Sequence, residues 1–145
     1  MAQRKRSQVV PVLIAALICD VAVPDPSTQK QNLIGIFDRI NVGGFPARRP
    51  FSLYVKLADA EGHYDVSFRF VRSDTGEQLA EATGNLDATD RLASTDLSIN
   101  FPPLSIPDAG RYEFQVWANG MHLRADAFTA SQMGRPQAEQ PDQQG

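Results

Sequence analysis

The sequence predicts an all-β protein, one sandwich of antiparallel sheets built from seven or eight strands. Three observations point there. Apolar and polar residues alternate with period two over four stretches. Gly, Pro, Asn and Asp punctuate those stretches at short spacing. No stretch carries the 3.6-residue period of an amphipathic helix; residues 87–92 have room for a single helical turn.

The elements follow in chain order. Residues 9–23 (VVPVLIAALICDVAV) and 32–40 (NLIGIFDRI) read as two long strands, with loop chemistry, PDPSTQKQ, between them. Phe51, Leu53, Val55 and Leu57 share one face, and Ser52, Tyr54 and Lys56 share the other. Tyr64, Val66, Phe68 and Phe70 repeat the design. Asp74-Thr75-Gly76 closes that strand and lets residues 78–83 begin the next. Leu97, Ile99 and Phe101 alternate with Ser98 and Asn100, and Tyr112, Phe114 and Val116 alternate with Arg111, Glu113 and Gln115. Asn119-Gly120 then turns the chain, because both residues accept positive φ at low cost. The last strand covers residues 121–129, and its alternation slips near Phe128, where a bulge is expected.

Composition bounds the function. A chain of 145 residues fits one domain. Fourteen Lys and Arg against 17 Asp and Glu give a net charge of -3, which argues against a strongly basic nucleic-acid binder. Eleven of the 14 basic residues are Arg, scattered among the acidic ones as on an ordinary soluble surface. One cysteine cannot build an internal disulfide framework. No apolar run reaches the roughly 20 residues of a membrane-spanning helix. Neither nucleic acid nor membrane is therefore an expected partner. The domain is placed at residues 9–130, with a flexible polar stretch at 1–8 and a disordered Gln- and Pro-rich tail at 131–145.

The first twenty residues admit two readings. Arg4, Lys5 and Arg6 ahead of the apolar residues 9–18 have the plan of a signal peptide, and Cys19 invites lipid attachment. Yet a lipoprotein cleavage site wants a small residue before the cysteine, and Ile18 is large. Asp20-Val-Ala-Val continues the apolar alternation past any cut. The favoured expectation is a first strand in a cytoplasmic protein, with which a lone thiol agrees. Export, with residues 1–18 as signal peptide, is the alternative.

Two stretches carry a resemblance. Asp108-Ala-Gly110-Arg-Tyr112-Glu-Phe114 resembles the D-x-G-x-Y-x-C segment of immunoglobulin-like domains, where the tyrosine hydroxyl bonds back to the chain in a corner. Phe114 stands at the cysteine position, and Trp117 follows the motif where the immunoglobulin core Trp precedes it. Cys19-Asp20, Leu33-Ile-Gly-Ile-Phe-Asp-Arg-Ile40 and Phe45-Pro46, taken with that corner, resemble a family of small bacterial proteins with no assigned function. The resemblance implies an immunoglobulin-like sandwich over most of residues 12–128. It implies Asp108, Gly110 and Tyr112 as a structural corner, and it carries no activity.

No constellation points to chemistry. His63 sits in a turn and His122 beside the hairpin, neither with a ligand or nucleophile at a known spacing. Cys19 reads as a small buried hydrophobe. Asp87 with Asp90, and Asp59 with Glu61, read as turn and capping residues, since a calcium site needs six to eight oxygens. No catalytic residue, metal site or cofactor is expected.

Residues 41–50, NVGGFPARRP, hold Phe45, Arg48 and Arg49 in one loop. That loop is either a recognition surface or a crossover between sheets with Phe45 plugging the core edge. Trp117 falls on the face opposite Tyr112 and Phe114 and is expected beside Tyr54. The expected function is a non-enzymatic interaction or structural module, contacting an unknown protein partner through loops or a sheet edge; a homodimer by edge pairing is open. The first alternative is an exported sandwich binding carbohydrate or another surface ligand. The second is an enzyme of unknown type, for which His122, Arg124 and Asp126 on one strand face are the candidates.

Overall fold

The computed structural model describes residues 9–133, and within them nine strands form two sheets. The strands are β1 (Val12–Pro24), β2 (Gln31–Ile36), β3 (Arg39–Val42), β4 (Ala47–Ala58), β5 (Gly62–Arg72), β6 (Gln78–Ala88), β7 (Thr95–Ile106), β8 (Gly110–Ala118) and β9 (Met121–Gln132). One sheet has the order β2-β1-β4-β7 and the other β3-β9-β8-β5-β6. The expected flexible stretch 1–8, and the tail from residue 134 onward, lie outside the described residues. Strand β9 continues through Ser131 and Gln132, which pair with Asn41 and Val42.

The alternating runs become the core. Phe51, Leu53, Val55 and Leu57 of β4 are fully buried, as are Tyr64, Phe68 and Phe70 of β5 and Tyr112 and Phe114 of β8. Leu97 and Ile99 of β7 are half-buried against the same core. Its centre is aromatic. Phe70 lies 4.9 Å from Phe114 between ring centroids, Phe51 lies 5.2 Å from Phe128, and Phe101 lies 5.1 Å from Phe114. Such offset and edge contacts add to the area each ring buries.

Turn chemistry sets the connections. Asn119 and Gly120 adopt φ of 49° and 80°, the positive pair that a two-residue hairpin needs. Asn119 also ties the hairpin to β5, because its Oδ1 accepts from the Asp65 N–H at 2.8 Å and its Nδ2 donates to the His63 carbonyl at 3.2 Å. The Tyr112 hydroxyl donates to the Asp108 carbonyl at 2.7 Å and accepts from the Asp108 N–H at 3.2 Å. This closes the corner ahead of β8. Tyr64 ties down its own approach in the same way, its hydroxyl accepting from Glu61 N–H at 3.0 Å and donating to the Val9 carbonyl at 2.9 Å.

Three expectations need correction. Among the described residues there are nine strands in place of seven or eight, because the run 32–40 is split. The chain leaves the first sheet after Ile36, buries Phe37 against Phe51 and Phe128, and enters the second sheet as β3. Second, the sheets are not wholly antiparallel: β3 pairs with β9 in parallel, and the Asp38 carbonyl accepts from Thr129 N–H at 3.0 Å to start the pairing. Third, the bulge in β9 lies opposite Val116 and Trp117, where Leu123 is the extra residue, and not near Phe128. Phe128 keeps its inward place opposite Tyr112 and is fully buried.

Candidate interaction surface

Strand β1 bends at Cys19. Up to that residue it pairs with β4, and from there on it pairs with β2. The hairpin so formed lies back over the outer side of its own sheet. Asn100 on β7 accepts from the Ala22 N–H at 3.4 Å, and Ser98, also on β7, donates to Gln31 at 2.9 Å. Ala22, on the hairpin's inner side, is buried against the sheet. Beneath the hairpin the Ser52 hydroxyl donates to Asn100 Oδ1. Cys19 is fully buried at the bend, and burial pushes its thiol above 9.0, with the Asp20 charge adding to the shift. A thiol held protonated in this way is a poor nucleophile.

The outer face of the hairpin is apolar and open. Val21 pairs with Ile34, and the two are 37% and 56% exposed. Val23 is 46% exposed and Ile36 57%. Four β-branched side chains therefore meet water on one small two-stranded face, which is unusual where a core is available to bury them.

The far end of the hairpin is pinned. Arg49 forms an ion pair with Asp20, and its guanidinium lies 5.1 Å from the Phe37 ring centroid and 5.4 Å from that of Phe51. Stacking on aromatic faces while pairing with a carboxylate suits the planar guanidinium. Gly35 has φ +72° and packs so closely on Asp20 that a Cβ there would overlap the carboxylate. Only glycine fits this approach.

The expected site residues are dispersed. Phe45 is half-buried against the core, and residues 43–46 do connect one sheet to the other. Arg48 and Arg49 are not loop residues: β4 begins at Ala47, so both belong to a strand. Arg48 is exposed and donates to the Pro103 carbonyl at 3.3 Å, while Arg49 is committed to Asp20. Trp117 lies on the outer face of the second sheet, so it is not beside Tyr54, which sits on the first sheet and bonds Asp96 at 2.9 Å. Trp117 is half-buried between its strand neighbours, with the His122 ring at 4.7 Å and the Arg69 guanidinium at 4.3 Å. Its Nε1 donates to Gln115 at 3.1 Å.

His122, Arg124 and Asp126 do not share a face. The extra residue Leu123 leaves His122 paired with outward Trp117, whereas Asp126 pairs with inward Phe114. Asp126 accepts from the Ile18 N–H at 3.2 Å across the sheets. It also lines a cavity of about 410 Å³ with Asp38, Arg39, Arg111 and Thr129. Burial pushes the Asp126 carboxyl above 3.8. His63 is drawn between Asp87, at 2.9 Å, and Asp65, at 3.3 Å. Among the described residues, no three His, Cys, Asp or Glu side chains converge as a metal site requires.

The family of unknown function DUF6941 matches residues 14–130. The chain belongs to that family. The match runs from near the start of β1 to the β3–β9 pair, so the hairpin, Asp20, Gly35 and Arg49 all lie inside it. No curated protein matches the sequence. Among solved structures, the chain is similar to the Pseudomonas fluorescens alkylpurine DNA glycosylase AlkC, bound to DNA containing an abasic site analog, at 17% identity and a TM-score of 0.43. The similarity covers 80% of this chain and 30% of that one.

Proposed function

We propose that the protein is an immunoglobulin-like sandwich serving as a non-enzymatic interaction module, and that it binds protein through the β1–β2 hairpin. Three features support the immunoglobulin-like reading. The chain switches sheets early, β3 runs parallel to the last strand, and a tyrosine corner precedes the strand before last. The observation that carries the interaction reading is the open apolar face at Val21, Val23, Ile34 and Ile36, on a hairpin whose other side is already packed.

That face differs from every site named by the sequence. Phe45 supports the core, Arg49 is internal to the hairpin's anchorage, and Trp117 is flanked by Arg69 and His122. Arg48 stays exposed at the margin.

The test is site-specific photocrosslinking in the native cells. A photoreactive residue at Ile34 or Ile36 gives adducts to protein, and one at Thr83 or Asn85 on β6 gives none. Absence of adducts at Ile34 and Ile36 overturns the reading.

A further inference from the structure

We infer that residues 19–36 form a flap, which lifts off the outer side of the first sheet while the sandwich stays folded, and which turns on the chain at Ile18-Cys19 and at Ile36-Phe37.

The first observation is where the core stops. The cluster of apolar side chains that joins the two sheets includes Ile18 and Phe37 and no residue between them. Of residues 19–36, only Cys19 and Ala22 are buried. A segment with so little buried apolar surface opens at a lower cost than the domain unfolds. Val21, Val23, Ile34 and Ile36 already face water, so lifting the flap uncovers little more of them.

The second observation is what holds the flap down. Its underside is attached by polar groups of β7. Asn100 accepts from the Ala22 N–H at 3.4 Å and donates to the Ala22 carbonyl at 3.4 Å. Both bonds are long against the roughly 2.9 Å of a well-made one. Ser98 donates to Gln31 Oε1 at 2.9 Å. Water replaces each of these bonds when the flap lifts, so each contributes little net. The base is held more firmly. The Ile18 carbonyl accepts from Phe37 N–H at 3.1 Å, and Arg49 pairs with Asp20 while lying over Phe37 and Phe51. A firm base and a lightly held body make the base the pivot.

Cys19 lies at that pivot, opposite Ser52, and its Sγ reaches the Val21 carbonyl at 3.5 Å. The flap therefore covers the thiol, and opening exposes it. As the one cysteine of the chain, Cys19 reports the motion.

The test follows alkylation of Cys19 by iodoacetamide in the full chain, read by intact mass. Each rate is divided by that of the same variant unfolded in urea. In the folded wild type the thiol reacts at a rate that dilute urea hardly alters, because local opening exposes little surface. Asn100→Ala, which frees Ala22, reacts about fivefold faster, and Ser98→Ala about threefold faster. Tyr112→Phe weakens the whole fold through the corner ahead of β8 and leaves the rate unchanged. Circular dichroism confirms that each variant is folded.

A rate that climbs with urea along the slope of global unfolding overturns the inference. So does Tyr112→Phe reacting as fast as Asn100→Ala, and so does a thiol that stays unreactive in folded Asn100→Ala. Each of these leaves the interaction reading standing, because that reading needs only the open apolar face and is decided separately by photocrosslinking.

Discussion

Phe51 of β4 and Phe114 of β8 meet across the two sheets, with ring centroids 5.9 Å apart and planes inclined at 65°. In immunoglobulin domains a disulfide joins the two sheets at this kind of position. Here two buried rings do the joining, and Phe70, Phe101 and Phe128 complete the cluster around them. Cohesion across the gap thus depends on apolar burial and ring geometry, which an intracellular or an extracellular redox state leaves unchanged.

Truncating either ring should be costly. Phe51→Ala and Phe114→Ala are each expected to lose about 3–5 kcal/mol, as deep aromatic truncations do. A double-mutant cycle should return a coupling of about 1 kcal/mol for the edge contact itself. Urea unfolding measures all three. Trp117, the one tryptophan of the chain, supplies the fluorescence signal.

The tyrosine corner gives a smaller effect. Tyr112→Phe keeps the ring stacked on Phe70 and removes both bonds to Asp108. The expected loss is about 1–2 kcal/mol, with an unchanged denaturant slope because the surface exposed on unfolding is the same. The same substitution at Tyr64, which releases Val9 and Glu61, should loosen the approach to β1 and raise amide exchange there.

Gly35→Ala should disrupt the hairpin for two separable reasons. The residue sits at φ +72°, and its new Cβ would overlap the Asp20 carboxylate. The strain of positive φ alone is about 1 kcal/mol. Asp20→Gly removes the overlap, and with it the Arg49 ion pair, so the fair reference is Asp20→Gly alone: added to that background, Gly35→Ala should lower the thermal midpoint by less than it does in the wild type. An equal cost of Gly35→Ala in both backgrounds would refute the close-approach account.

The pH dependence turns on Asp126. Burial raises its carboxyl above 3.8, and the nearby Asp38 charge adds to this, while bonds from Ile18 and Ala127 N–H and the Arg124 charge oppose it. The folded protein therefore holds that proton more tightly than the unfolded chain. Its contribution to stability is greatest at low pH and is lost as pH rises from 3.8 through the raised value. Asp126→Asn, which can still accept from Ile18, should melt higher than wild type at neutral pH. The difference should vanish below pH 3.8. Asp25 and Glu81 act in the opposite sense, held low by bonds from Ser27 in one case and from Ser67 and Arg69 in the other. Comparing the variant with wild type cancels them.

How much of this was legible in the sequence depended on range. Strands β4, β5 and β8 announce themselves because each has one buried face, and alternation is the local trace of that. Asn119-Gly120 and the Asp108-to-Tyr112 corner are local as well, and both appear where their residues demand. The split at Phe37 is not local. Residues 32–40 are apolar enough to read as one strand, and only Phe51 and Phe128, distant in sequence, decide that Phe37 turns inward and β3 departs to the other sheet. Arg49 looked like a free loop arginine because its partner Asp20 is 29 positions away. The open hairpin face was hidden for the same reason: Val21 and Ile34 have the composition of core residues, and only the placement of β7 beneath the hairpin shows which side is already filled.

The parallel pair of β3 and β9 has a consequence for how the protein is made. Among the described residues strand β3 has no other neighbour, and its partner residues are 129–132. During synthesis β1 can join β2 and then β4 while later residues are still inside the ribosome. Residues 39–42 must wait until the whole domain has emerged. Until then Phe128 is absent, and the rings of Phe37 and Phe51 that pack on it stay uncovered. The last strand is thus the latch of the domain, and a nascent chain stalled before it would present its aromatic centre to chaperones.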